Sequence, residues 1–190
     1  MGSKRRHKVW RLTVVAMLAF SCVTAADASA ASFASSGTGP LSGKQTVSQT
    51  FDTGTGSFSC TQAAISGMRT EIETEAEEIG IKYSACSYLG FVGLEVSEAR
   101  YLLGANGSLT ILNTFTVRVP GAGCSITFGP QTPLGSVSYV NSSGKIEAAF
   151  NLGGIKSKGS GGLCGGESAS GTYAGKSLIE LVGGTIEWVP

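Results

Sequence analysis

The sequence predicts an all-β chain, an antiparallel β-sandwich or Greek-key barrel of about ten short strands. Three observations carry that expectation. Apolar and polar residues alternate in run after run between Val47 and Val189, the period that buries one face of a strand and wets the other. Turn chemistry such as Asn106-Gly107, Pro120-Gly121 and Gly183-Gly184 separates the runs, in a chain with 28 glycines among 190 residues. Four cysteines beyond residue 30 supply staples for such a framework.

Residues 31–43 are small, polar and turn-rich, and read as a flexible leader before a single β-sandwich domain over 44–190. Val47 and Phe51 share a strand face, Gly54 and Gly56 turn the chain, and residues 57–65 form a strand carrying Cys60. Residues 67–80 fit two patterns. Ile72, Ala76 and Ile79 form an apolar stripe if the segment is helical, which places a short helix near 69–79. Glu71, Glu73, Glu75 and Glu77 form one acidic face if it is an exposed strand. Ile79, Ile81 and Tyr83 then alternate towards Cys86, followed by Val92, Leu94 and Val96.

Asn106-Gly107 marks a hairpin between residues 100–103 and 108–119. Leu109, Ile111, Phe115, Val117 and Val119 lie on one face of its second arm, with Leu112 out of phase. Cys124, Ile126 and Phe128 make the next strand, then Val137 and Tyr139, then Ile146, Ala148 and Phe150. Residues 153–171 are rich in Gly and Ser and hold Cys164; 177–182 and 185–189 close the chain. Gly80-Ile81-Lys82 and Gly154-Ile155-Lys156 echo each other over too few residues to define a repeat.

Lys4, Arg5, Arg6, Lys8 and Arg11 precede a largely apolar run over 12–26, and small-x-small sites follow at Ala26-Asp27-Ala28 and Ala28-Ser29-Ala30. That order predicts a signal peptide over residues 1–30, cleaved near Ala28 or Ala30, and the run is short for a membrane span. The expected location is therefore secreted. Arg5-Arg6 matches twin-arginine export poorly beyond the pair itself, and Phe20 is too bulky for a lipidation site at Cys22. Cleavage removes the only histidine, His7. It leaves nine Lys and Arg against twelve Asp and Glu, a net charge of −3. Basic residues so few and dispersed predict no nucleic-acid partner, and no later run is long enough to span a membrane.

Cys60, Cys86, Cys124 and Cys164 form an even set in an oxidising compartment and predict two disulfides. The favoured pairing is sequential, Cys60–Cys86 and Cys124–Cys164. Each would close a loop of about 25–40 residues, worth about 3–4 kcal/mol by chain entropy. A zinc site needs closer pairs than these.

Without His7, Ser-His-Asp and Cys-His systems and imidazole metal sites are excluded. No catalytic, cofactor-binding or metal-ligating residue is expected. The glutamates at 71–78 invite a calcium reading, but Asp52 is the only aspartate after residue 30, and a solvated acidic face is the plainer one. Gly175-Lys176-Ser177 ends like a phosphate loop but lacks the required earlier glycine. Asn106 and Asn141 head glycosylation sequons that also read as turns. A carboxylate-dependent glycosidase would draw on Glu95, Glu98, Glu147, Glu167, Glu180 or Glu187, each of which reads first as an outward strand residue. Tyr83, Tyr88, Tyr101, Tyr139, Tyr173 and Trp188 could stack on sugars, but read first as packing.

Several motifs recur in an order similar to that of a group of small secreted actinobacterial proteins. They are Phe58-Ser59-Cys60, Gly67, Tyr83-Ser84-Ala85-Cys86, Gly123-Cys124, Pro130-Gln131, Val137-Ser138-Tyr139-Val140-Asn141, Gly154-Ile155, Cys164 and Gly171-Thr172-Tyr173-Ala174-Gly175. The resemblance spans residues 47–189. It implies a signal peptide, an all-β disulfide-bonded domain and no established activity, so no functional residue is carried over. Many such proteins have an extra cysteine pair between the positions of Cys86 and Cys124; this chain has none there.

The expected function is a non-enzymatic binding or structural role outside the cell or at its envelope. A cell-envelope glycan or another protein would be the partner. The alternative is an extracellular carboxylate-dependent hydrolase acting on glycans. Mass spectrometry of the secreted protein should show a new N-terminus after Ala28 or Ala30, no lipid, and four cysteines that alkylate only after reduction. Free thiols without reductant would contradict the export reading.

Overall fold

The computed structural model describes residues 30–190 apart from 55, 89, 91, 133–134, 162–163 and 165; the expected signal peptide at 1–29 lies outside them. The strands in chain order are β1 (Ser32–Ser35), β2 (Gly39–Asp52), β3 (Ser57–Arg69), β4 (Glu73–Thr74), β5 (Ala76–Tyr88), β6 (Val92–Val96) and β7 (Ala99–Gly104). They continue with β8 (Leu109–Ile111), β9 (Phe115–Val119), β10 (Cys124–Phe128), β11 (Gly135–Ser142), β12 (Lys145–Ser160), β13 (Gly166–Leu181) and β14 (Ile186–Val189). The sheet follows the order β3-β2-β13-β12-β10-β9-β6-β5 and closes on itself through β3–β5. The barrel form of the expected all-β fold is thus the one adopted, and its strands are antiparallel.

Alternation drives the closure. Along β5, Ile79, Ile81 and Tyr83 are buried while Glu78, Lys82 and Ser84 face water. The other strands repeat the pattern, so apolar side chains fill the interior and polar ones coat the wall. That is the inverse of a barrel built to face lipid.

Two strands change neighbours halfway along. β5 pairs with β7 from Ala76 to Ile81 and with β6 from Cys86 to Tyr88. β12 pairs with β11 from Lys145 to Leu152 and with β10 from Lys158 to Ser160. The Gly-Ile-Lys echo falls on both changeovers: Gly80 and Ile81 are the last residues paired with β7, and Gly154 follows the β11 pairing with a positive φ of 71°. A β-carbon at Gly80 would lie 2.8 Å from Glu98 Oε1, the movable tip of an exposed side chain.

Side-chain amides replace backbone ladders where the neighbours change. Gln131 pairs through its backbone with Ile111, at 3.1 and 3.2 Å. Its side chain donates to the Lys156 carbonyl (2.8 Å) and accepts from the Lys156 N–H (2.7 Å). Asn113 holds the Arg100 N–H and the Glu98 carbonyl in the same way. Asn141 does so for the N–H and carbonyl of Trp188.

The antiparallel order sends the β2–β3, β5–β6, β9–β10 and β12–β13 turns to one rim. Both disulfides lie towards that rim, Cys60–Cys86 across β3 and β5, and Cys124–Cys164 between the β9–β10 and β12–β13 ends. Two disulfides are the chemistry of an oxidising compartment outside the cytosol. The opposite rim is covered by a separate sheet in the order β14-β1-β4.

Arg69 seats that small sheet. It ends β3 and is 1 % exposed. Its guanidinium donates to Glu77 Oε2 on β5 (2.5 Å), the Phe33 carbonyl on β1 (2.5 Å), Ser35 Oγ (2.6 Å) and the Ile72 carbonyl (3.1 Å). A charge this buried persists only when its donors are met.

The structure corrects three local expectations. Residues 31–43 are not a flexible leader: they hold β1 and the start of β2, with Phe33 2 % exposed and set edge-on to Tyr139. No helix forms near 69–79. The segment is the end of β3, then β4 and the start of β5, because Arg69 turns Glu77 inward and ties Ile72 by its carbonyl. Residues 108–119 are not one strand: the run breaks into β8 and β9 around Leu112, whose N–H bonds the Arg100 carbonyl.

Arg69→Ala leaves Glu77 buried without its partner and should cost about 3–5 kcal/mol. Urea unfolding would read this as a lower midpoint. Trp188 on β14, the only tryptophan after residue 30, should report early release of the small sheet by its fluorescence.

Candidate functional site

The barrel interior is packed with rings. Phe51 stacks on Tyr173 (centroids 4.4 Å apart) and on Phe58 (4.8 Å), and Phe115 stacks on Phe128 (4.6 Å). Among them lies a cluster of phenol hydroxyls: Tyr83 is 2.9 Å from Tyr101 and donates to Tyr173 at 3.2 Å. Tyr139 donates to the Gly104 carbonyl. Tyr83, Tyr101, Tyr139 and Tyr173 are therefore core residues, not sugar platforms. Burial pushes all four phenols well above their ordinary range. Tyr88 is half-buried beneath Gly56, and Trp188 is half-buried with its indole N–H on the Ala105 carbonyl.

With the interior filled, the hollows lie on the outer wall. The structure does not gather the candidate glutamates; it pairs several of them one by one with cations. Glu98 faces Lys82, Glu147 faces Lys176, Glu167 faces Lys158 and Glu180 faces Lys145. Glu95 lies opposite Arg118 in the ladder, and Glu187 stands exposed on β14. Hydrogen bonds from Lys145 and Ser42 hold the Glu180 carboxyl below its usual range, the reverse of what a general acid needs. The carboxyl that is raised is Glu77, lifted by burial against the pull of Arg69, and it is locked in the Arg69 network.

Gly175-Lys176-Ser177 lies within β13 where its register against β2 shifts: Lys176 meets Glu147, and Ser177 is buried against the Gln49 amide. The Asn141 amide is occupied by Trp188, and Asn106 accepts from the Ser108 N–H in a turn. Among the described residues, no three His, Cys, Asp or Glu side chains gather as a metal site, and no helix is long and apolar enough to cross a membrane.

The wall has hollows at both changeovers. Beside β5, one of about 480 Å³ lies between Gly80, Glu98 and Arg100 and shares Met68 and Glu78 with another of about 310 Å³ at Arg69 and Glu77. Arg100 pairs with Glu78 there. Beside β12, a groove of about 440 Å³ is lined by Thr127 and Gly129 of the β10 side, Lys156, Ser157 and Lys158 of β12, and Glu167, Ser168 and Ala169 of β13. Register shifts at Leu152, Ile155 and Ser157 and the early departure of β10 open it. Sequence reading missed this groove. Lys156 and Lys158 do show the two-residue spacing that puts both on one strand face, but nothing local marks the gap beside them.

No family model, curated protein or solved structure matches this chain.

The buried phenols make a pH prediction. Their folded-state pKa values lie above the unfolded value near 10.0, so their contribution is full below pH ~10 and is lost as pH rises past it. Ultraviolet titration should show these four tyrosines ionising only together with alkaline unfolding. Reversible ionisation of all five tyrosines in the folded protein near pH 10 would contradict the packing.

Proposed function

We propose that the protein is exported and acts without catalysis, using the outer wall of a rigid barrel to bind a component of the extracellular space or cell envelope. The observation that carries this reading is the filled interior beneath a wall whose groove by the β12 changeover holds lysines and hydroxyls with a single glutamate, Glu167, rather than a pair of carboxylates. The basic-then-apolar start of the chain and the two disulfides support export. The short reach from Ala30 to β1 supports passage as an unfolded chain. Ser32 and Phe33 are buried in the central strand of the small sheet, so a peptidase could hold this segment extended only before that sheet forms.

The processed protein, incubated with isolated bacterial cell envelopes, should sediment with them and release no reducing sugar ends. Release of such ends would favour the hydrolase instead, and failure to sediment would remove the envelope-binding reading.

A further inference from the structure

Charge is distributed unevenly over the wall. Beyond residue 30, Arg69, Lys82, Arg100, Lys145, Lys158 and Lys176 each meet a carboxylate within 4.0 Å. Among the described residues Lys44, Arg118 and Lys156 do not. Two of those three, Arg118 and Lys156, stand with Lys158 on the face formed by β9, β10 and β12. Lys156 and Lys158 project to the same side because Ser157 between them turns inward and is buried.

The groove beside them is the space left where β10 parts from β12 and the Gln131 amide takes over the Lys156 backbone. Holding that backbone from both its N–H and its carbonyl fixes the strand from which Lys156 projects. Thr127 lies directly opposite Lys158 in the ladder, and Ser125 links Arg118 to Ser160 in the next row. Cations and hydroxyls share these rows with two carboxylates, Glu95 opposite Arg118 and Glu167 opposite Lys158. Lys158 is 3.3 Å from Glu167, but their side chains are 73 % and 76 % exposed. Such a solvated pair holds weakly and exchanges readily for a better oxyanion. None of the described lining residues is aromatic, so stacking on neutral sugar rings has no platform here. Ammonium groups interleaved with hydroxyls suit oxyanions carried on a polyhydroxylated chain.

We propose that this groove binds an anionic glycan, a chain of sugars or polyols carrying carboxylate or phosphate groups; the assignment rests on the reading of the protein as an extracellular binder. Lys156 meets one oxyanion, Lys158 exchanges Glu167 for the same or the next, Thr127 and Ser168 bond sugar hydroxyls, and Arg118 extends the track along the wall.

The test is titration of the processed protein, at low salt, with polygalacturonate, a glycerol-phosphate polymer, neutral dextran and single-stranded DNA. Binding to one of the first two polymers is expected, with none to dextran and weaker binding to DNA; preference between the two identifies the oxyanion. Lys156→Ala with Lys158→Ala should weaken binding about tenfold. The charge-matched pair Lys44→Ala with Lys82→Ala should leave it within about twofold. Gly129→Glu should abolish binding, and it fits the wall because a β-carbon there meets nothing within 4 Å. Thermal unfolding of each variant separates lost binding from lost fold. No binding to either anionic polymer, equal loss in both lysine pairs, or DNA bound as tightly as glycan would overturn the assignment. Envelope binding that survives Gly129→Glu would also overturn it while leaving the extracellular-binder reading intact; absence of envelope binding in the unaltered protein would sink that reading.

Discussion

The joint between β3 and β5 is the constraint from which the rest follows. It runs from Gly67 opposite Ile79 to Phe58 opposite Tyr88, and it turns an open sheet into a ring. Without it β3 and β5 would each present a long edge of unpaired backbone groups, a standing invitation to aggregation. The joint also brings Arg69 beside Glu77, since one ends β3 and the other begins β5. That contact organises the carbonyls of Phe33 and Ile72, and hence the small sheet over the rim. Near the joint's other end the Cys60–Cys86 bond crosses directly between paired residues. A covalent clamp towards one end and a desolvated ion pair at the other leave little freedom for slippage of register.

Changing neighbours along β5 and β12 has a cost, because each handover leaves backbone groups without a ladder. The protein meets that cost with amides whose donor and acceptor copy a peptide group, at Asn113 and Gln131. The hollows in the wall lie at these handovers. The hollows and the structural irregularity therefore share one origin. A ring of unbroken strands would be smoother.

Alternation made the all-β class legible, and the even cysteine count made two disulfides legible, with the sequential pairing the favoured one of three. Asn106-Gly107 marked its hairpin, with β7 and β8 on either side. Leu112, out of phase, was a readable sign of the break after β8, although the run as a whole suggested one strand. Other features depended on distant partners. Phe33 is one apolar residue in a polar stretch, and its strand exists because β4 and β14 flank it. The choice between helix and strand at 69–79 was made by Arg69 reaching across to Glu77, which no local period encodes. Residues 153–171 were read as rich in Gly and Ser, with no strand assigned to them. Those glycines permit close backbone approach within β12 and β13: a β-carbon at Gly171 would lie 2.8 Å from the Ile155 carbonyl and 2.9 Å from that of Asp52. The groove was illegible for a related reason, since it follows from register shifts rather than from any motif.

The four hairpin turns gather at one rim, whereas β1 and β14, with Ser32 opposite Val189, lie at the other. A tether joined to either of those strands would grip the molecule by its base. It would leave the hairpins pointing outward and the flank with Lys156 and Lys158 unobstructed. The β2–β3 and β5–β6 hairpins could also be lengthened or exchanged for other peptide sequences with little disturbance to the buried arginine at the far rim or to the two disulfides, so the architecture lends itself to displaying variable loops on a fixed, covalently braced drum.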